Sequence, residues 1–321
     1  VSMMKNTLLQ ESKCAFTDLR KQMPLFANAI AEKKHAVNGF DEYLDFYQLP
    51  EAKHNLKVIA GTSEDQATAI IAWQPKQSLG TAVVVHGYMD HIGLYGHLIR
   101  YLLTQHLTVV CLDLKGHGLS SGKTCSIKSF QEYVDQVDEL LGLCISRFEG
   151  PIHGIGQSMG GAVLMKHCLN HQNHQLYSFD SLNLLAPLLH PLAWQKNRWL
   201  YLLSRCFVKT IKRAYRASSW DQAFLDFLRY QDPFQPTRVP IDWIGAMDHW
   251  INEFKQSPKS DYPIHIIQGD NDNTLDWAYN LTQFEQTFGT MTKTIIARGN
   301  HHLVNESLPL RSTIFSNLKL N

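Results

Sequence analysis

Gly156-Gln157-Ser158-Met159-Gly160 sets a serine between two glycines, at the junction of an apolar run and a helical run. Pro151-Ile152-His153-Gly154-Ile155 reads as a short buried strand, and Gly161 to Asn170 reads as a helix. A serine at a sharp strand-to-helix turn is pushed out of the sheet, with its hydroxyl exposed above the helix N-terminus. Glycines two before and two after it suit a chain that crowds itself there, because a Cβ would meet neighbouring backbone. The chemistry open to such a serine is nucleophilic attack on a carbonyl. The plainer role is that of a helix cap.

A nucleophilic serine needs a base, an acid that orients the base, and an oxyanion hole. Downstream, the strand-like run Pro263 to Gln268 ends in the carboxylate-rich loop Gly269-Asp270-Asn271-Asp272-Asn273. A further strand, Thr292 to Ala297, ends in Gly299-Asn300-His301-His302. Both loops follow strands, where open α/β sheets gather functional residues, and the order is serine, acid, histidine. Asp272 is favoured as the acid, with Asp270 as a turn-former and Asp276 complementing the dipole of the next helix. His302 is favoured over His301 as the base. For the oxyanion hole, the N–H of Met159 follows the nucleophile directly. Strand Thr81 to Val85 runs into His86-Gly87-Tyr88, whose glycine lets the loop fold back and offers the Tyr88 N–H as the second donor.

His86-Gly87-Tyr88-Met89-Asp90-His91-Ile92-Gly93-Leu94-Tyr95 resembles the H-G-x-G-E-H-x-x-R-Y stretch of monoacylglycerol lipases and bacterial lysophospholipases. Asp113 to Gly122 is similar to their D-x-x-G-H-G-x-S-x-G turn, Gly269 to Asp272 to their G-x-x-D loop, and Gly299 to His302 to their G-x-x-H. The resemblance implies an α/β-hydrolase fold with a mostly parallel, eight-stranded sheet, helices on both faces and a helical lid. It implies functional roles for Ser158, Asp272 and His302, with oxyanion donors at Tyr88 and Met159. Met89, Asp90 and Leu94 depart from the glycine, glutamate and arginine of the pattern.

The elements that must position these residues follow from the rest of the chain. Leu56–Ala60 and Thr68–Trp73 read as a hairpin, and Thr81–Val85, His97–Gln105 and Thr108–Leu112 as a βαβ unit. Ser129 to Phe148 is amphipathic at helical spacing, and Ser178 to Leu185 reads as the sixth strand. Such alternation requires a mostly parallel sheet. Residues 1 to about 55 read as a largely helical lead-in, completing a first core portion of residues 1–187. Residues 188–258 are far too long for an ordinary connection and rich in aromatics such as Trp194, Trp199, Tyr215, Trp243 and Trp250, as in a helical lid over an apolar substrate. Residues 259–321 complete the core.

At 321 residues the chain buries one large core plus an insertion, and a net charge of +1 gives no bulk affinity for nucleic acid. No stretch approaches the roughly 20 apolar residues of a membrane span, and Val1-Ser2-Met3-Met4-Lys5 lacks a signal peptide's apolar core. Six cysteines (Cys14, Cys111, Cys125, Cys144, Cys168, Cys206) form no C-x-x-C pair, which suits buried thiols in a reducing compartment. A cytoplasmic protein is expected. Between Leu192 and Trp220 lie Lys196, Arg198, Arg205, Lys209, Lys212, Arg213 and Arg216 with no acidic residue. That pattern suits a solvated lid face, a phosphate-bearing substrate or peripheral contact with an anionic membrane, including the inner membrane surface.

Gly154-Ile155-Gly156 lacks the third glycine of a dinucleotide fingerprint, and Leu275 takes the glycine position of a calcium loop. His301-His302 has no second ligand pair, and no cofactor or metal is expected. The reading is a serine hydrolase that cleaves a carboxylic ester through an acyl-enzyme. The resemblance points to monoacylglycerol or lysophospholipid substrates. A short-chain esterase, a peptidase acting on small N-terminal residues, and a catalytically silent interaction protein are the alternatives.

Overall fold

The computed structural model describes residues 16, 18–31, 37–172 and 178–320. Strands β1 (Leu56–Thr62), β2 (Ala69–Pro75), β3 (Gly80–Val85), β4 (Leu107–Leu112), β5 (Ile152–Gln157) and β6 (Ser181–Leu185) precede residues 188–258. That segment holds the short strands β7 (Thr210–Lys212) and β8 (Arg238–Pro240), and β9 (Ile264–Gly269) and β10 (Met291–Ile296) follow it. Eight strands form one sheet in the order β1-β2-β4-β3-β5-β6-β9-β10. β2 pairs antiparallel with β1 and with β4, and every other pairing in that sheet is parallel.

Central strands are buried on both faces, and their alternation divides the core in two. Val83, Val85, Val110 and Leu112 face one cluster, with helices Gln131–Arg147 and Met159–Asn170. Ala82, Val84, Val109 and Cys111 face the other, with helices Gly96–Thr104 and Leu308–Ser316. Between the first two helices, Asp138 accepts from His167 Nδ1 at 2.6 Å and from His171 Nε2 at 2.8 Å, clamping them together. The edge strand β10 turns Thr292, Lys293 and Ile295 to solvent.

The expected lead-in is helical at Leu19–Gln22, Phe26–Ala31 and Phe40–Phe46; its remainder, with Cys14, falls partly outside the described residues. Cys111, Cys125, Cys144 and Cys168 are buried and Cys206 is exposed. Burial pushes the Cys144 thiol up to about 12.

Residues 188–258 are not wholly helical. Helices Trp194–Ser204, Gln222–Tyr230 and Ile241–Gln256 are joined by an antiparallel ribbon, Thr210–Lys212 against Arg238–Pro240. The last helix belongs to the core, burying Trp243, Met247, Trp250, Ile251 and Phe254. The first buries only Trp194 and leaves Trp199, Leu200 and Leu203 in solvent. No helix among the described residues is long and apolar enough to cross a membrane.

Candidate active site

Parallel strands bring the loops after β3, β5, β9 and β10 to one edge of the sheet, and the chemistry collects there. Ser158 stands between β5 and helix Met159–Asn170 with φ +52° and ψ −110°, a conformation that costs an L-residue energy. The flanking glycines admit it. A Cβ on Gly156 would come within 2.6 Å of the Gly160 backbone, and one on Gly160 would strike the Val85 carbonyl. Although Ser158 occupies the N-cap position, its side chain makes no cap hydrogen bond. Its Oγ lies 2.9 Å from His301 Nε2 instead.

His301 Nδ1 lies 2.8 Å from Asp272 Oδ2. Asp272 Oδ1 accepts from the N–H groups of Thr274 and Leu275 at 2.8 and 3.0 Å, and Gln268 Nε2 donates to Oδ2 at 3.2 Å. Burial alone would raise the Asp272 pKa. The facing His301 and these hydrogen bonds outweigh burial and hold the carboxyl below its usual range. A carboxylate so fixed holds the imidazole with Nδ1 protonated and Nε2 free to accept from the serine.

The structure places His301, and not the favoured His302, between Ser158 and Asp272. Arg298, with φ +62°, and Gly299 turn the chain sharply after β10, and Gln157 Nε2 holds the His301 carbonyl at 2.9 Å. Successive side chains then diverge: His301 meets Ser158, and His302 Nε2 lies 3.2 Å from Asp90 Oδ1. Asp90 Oδ2 also accepts from Tyr95 Oη at 2.9 Å, and that phenol oxygen accepts the Gly87 N–H at 2.9 Å. A sequence signal for this existed in Asp90, a second carboxylate competing for one of two adjacent histidines. Asp272 stands where expected. Asp270, expected as a turn-former, accepts the Arg298 N–H of the neighbouring loop at 2.6 Å, and Asp276 takes the N-cap position of helix Trp277–Thr287.

The Tyr88 loop is built tightly beside the serine. A Cβ on Gly87 would lie 3.5 Å from Ser158 Cβ and 2.8 Å from Asp90 Oδ2. His86 Nδ1 donates to the Gly87 carbonyl at 2.7 Å and Nε2 accepts the Leu114 N–H at 2.9 Å, which requires a neutral ring. Burial, aided by the nearby His117, pushes His86 down to about 3. Met89, where the resemblance has glycine, adopts φ +66°. Of the two expected oxyanion donors, Tyr88 lines the cavity and stacks on Trp243 at 3.6 Å, and Met159, next to Ser158, is fully buried. Asp113, which opens the Asp113–Gly122 turn, is a structural anchor, with Oδ1 accepting Ile92 N–H and Oδ2 accepting Leu119 N–H, both at 2.7 Å.

Ser158, His301 and His302 open into a cavity of about 580 Å³, whose apolar wall includes Leu188, Leu225, Leu228, Val239 and Met247. Asp138, His167 and His171, with ligand atoms within 4.8 Å of one another, are the described residues best disposed to hold a cation. They lie on the helix pair behind the sheet and do not line this cavity.

The fold and this constellation define an α/β-hydrolase. Residues 76–307 match the family model described as "Serine aminopeptidase, S33", and the chain belongs to that family. It is 32% identical over 97 residues to a monoacylglycerol lipase of Mycolicibacterium smegmatis, and 31% identical over 104 residues to phospholipase YtpA of Bacillus subtilis. Those matches cover 30% and 32% of this chain and 35% and 40% of the two relatives. In fold it is similar to a soluble variant of monoglyceride lipase from Saccharomyces cerevisiae, with a TM-score of 0.67 at 15% identity, over 84% of this chain and 93% of that one.

Proposed function

We propose that the protein is a serine hydrolase that cleaves the carboxylic ester of a single-chain lipid, of monoacylglycerol or lysophospholipid type, through an acyl-enzyme. The observation that carries this reading is the line Ser158 Oγ–His301 Nε2 at 2.9 Å and His301 Nδ1–Asp272 Oδ2 at 2.8 Å on the floor of a largely apolar cavity. His301 takes the hydroxyl proton as Ser158 attacks the carbonyl, and Asp272 stabilises the imidazolium. The Tyr88 and Met159 N–H groups hold the oxyanion. His301 then protonates the leaving alcohol and activates the water that releases the acid.

Residues 188–258 act as the lid in this reading, supplying the wall that receives the acyl chain. A peptidase acting on free N-termini would need carboxylates to hold an ammonium group. The carboxylates in the cavity are Asp90, engaged with His302, and Asp226, whereas Arg213, Arg216 and Arg229 share the space. The charge thus favours the ester. The exposed Trp199, Leu200, Leu203 and Phe207, beside Lys196, Arg205, Lys209 and Lys212, support peripheral docking of the lid on an anionic membrane.

A series of glycerol monoesters of increasing chain length tests the substrate class. Each buried methylene contributes about 0.8 kcal/mol, so four further carbons are expected to raise kcat/KM by about two orders of magnitude until the cavity is filled. A profile flat or falling from the shortest ester contradicts the lipid reading.

A further inference from the structure

We propose that Arg213, Arg216 and Arg229 form an anion subsite at the mouth of the cavity, taking the phosphate of a phosphate-bearing acyl ester. The inference rests on the reading of Ser158 as the residue that attacks the ester, and goes on to say what lies at the other end of the substrate. All three guanidinium residues line the cavity that Ser158 opens into. Arg213 and Arg229 converge on a single ring, their Cζ atoms 4.6 and 5.5 Å from the centroid of Tyr215. Two like charges on one aromatic platform repel each other, and an anion bound beside them offsets that repulsion.

Among the described residues, no carboxylate forms an ion pair with Arg213, Arg216 or Arg229. Arg213 donates to Gln235 Oε1 at 2.5 Å and to the Pro236 carbonyl at 3.4 Å, and Arg216 donates to the Asn273 carbonyl at 2.7 Å. All of these partners are neutral. Arg198 and Arg311, by contrast, face Asp248 and Asp221. Asp226 and Asp90 also line the cavity, Asp226 Oδ1 accepting from Gln222 Nε2 at 2.9 Å and Asp90 engaged with His302, and the three arginines outnumber them.

The backbone holds the cluster in place. The Arg213 N–H donates to the Thr237 carbonyl at 3.0 Å beside the β7–β8 ribbon, and Arg229 stands in the last turn of helix Gln222–Tyr230. Guanidinium groups match phosphate oxygens in pairs of parallel hydrogen bonds, a geometry that lysine does not supply. The cavity therefore offers an apolar wall for a chain, a serine for the ester, and a half-buried to exposed cationic rim for a phosphate. A neutral glycerol ester uses the first two and leaves the third unmatched.

Calorimetric binding of two non-hydrolysable ligands, a decyl ether of glycerol and the same ether carrying a phosphate, tests this at concentrations below micelle formation. The phosphate ether is expected to bind the wild-type protein about tenfold tighter or better, with an advantage that shrinks as salt is raised. The Arg213→Gln/Arg229→Gln variant is expected to lose that advantage. Equal affinity for the two ethers in the wild type, or an advantage untouched by the substitutions, overturns the proposal. Inorganic phosphate titrated alone is expected to bind far more weakly; affinity equal to that of the phosphate ether assigns the rim to free phosphate and overturns the headgroup. If the double variant does not fold, the wild-type pair and its salt dependence still decide. Ether binding requires no acyl transfer, so failure of Ser158 to react with an ester or with a fluorophosphonate is read separately.

Discussion

At the residue scale, two adjacent histidines face different partners. His301 lies between Ser158 and Asp272, and His302 faces Asp90 and the Phe224 ring. In side-by-side steady-state kinetics, His301→Ala and Asp272→Asn are expected to lower kcat by about four orders of magnitude or more. His302→Ala and Asp270→Asn are expected to cost far less, and a reversed ranking of the histidines would return the base to His302. The placement of Ser158 and Asp272, and their order, was legible because glycine spacing and strand ends constrain them directly. Which histidine stands between them was not. A G-x-x-H count assumes one path for the chain after the strand, whereas the positive φ of Arg298 and the grip of Gln157 on the His301 carbonyl shift the facing side chain by one residue.

At the element scale, the turn around Ser158 tolerates no added carbon. Gly160→Ala places a methyl against the Val85 carbonyl and is expected to lower unfolding free energy by several kcal/mol, on the order of severe overpacking, in urea titrations. A variant as stable as the wild type would contradict this packing. The βαβ unit and the inner strands were legible because fully buried strands such as β3 and β4 read as continuous apolar runs. The β7–β8 ribbon was not, since three-residue strands such as Thr210–Lys212 carry no periodicity. The loops after β3 and β4 also set a pH dependence. Burial pushes His86 to about 3 and His117 to about 4, while the unfolded chain takes up protons near 6.5. The unfolded state therefore binds more protons as pH falls below about 6.5, and stability drops. The depressed carboxyls Asp90, Asp232 and Asp272 act in the same direction at lower pH; Asp113, raised by burial to about 6, and His91, raised by Asp232 despite burial, oppose it. The thermal midpoint is expected to fall between pH 7 and about pH 4.5. A midpoint that rises over that interval would show that Asp113 and His91 dominate.

At the scale of the whole molecule, residues 188–258 line the cavity with Leu225, Leu228, Val239 and Met247 and carry other apolar side chains into solvent. Phe207 is 89% exposed and Leu203 73%. Leu203→Ser/Phe207→Ser is expected to weaken sedimentation with anionic vesicles by about tenfold or more, and unchanged binding would leave those side chains without a membrane role. The aromatic richness of the segment was legible in the sequence, but which aromatics turn inward depended on the anchoring of helix Ile241–Gln256 in the core. The central claim, that Ser158 is activated by His301 and not by its neighbour, is tested most directly by fluorophosphonate labelling followed by peptide mapping. We expect one adduct, on Ser158, in the wild type and in His302→Ala, and loss of labelling in His301→Ala. An adduct on another residue, or labelling that survives His301→Ala and disappears in His302→Ala, would contradict the account.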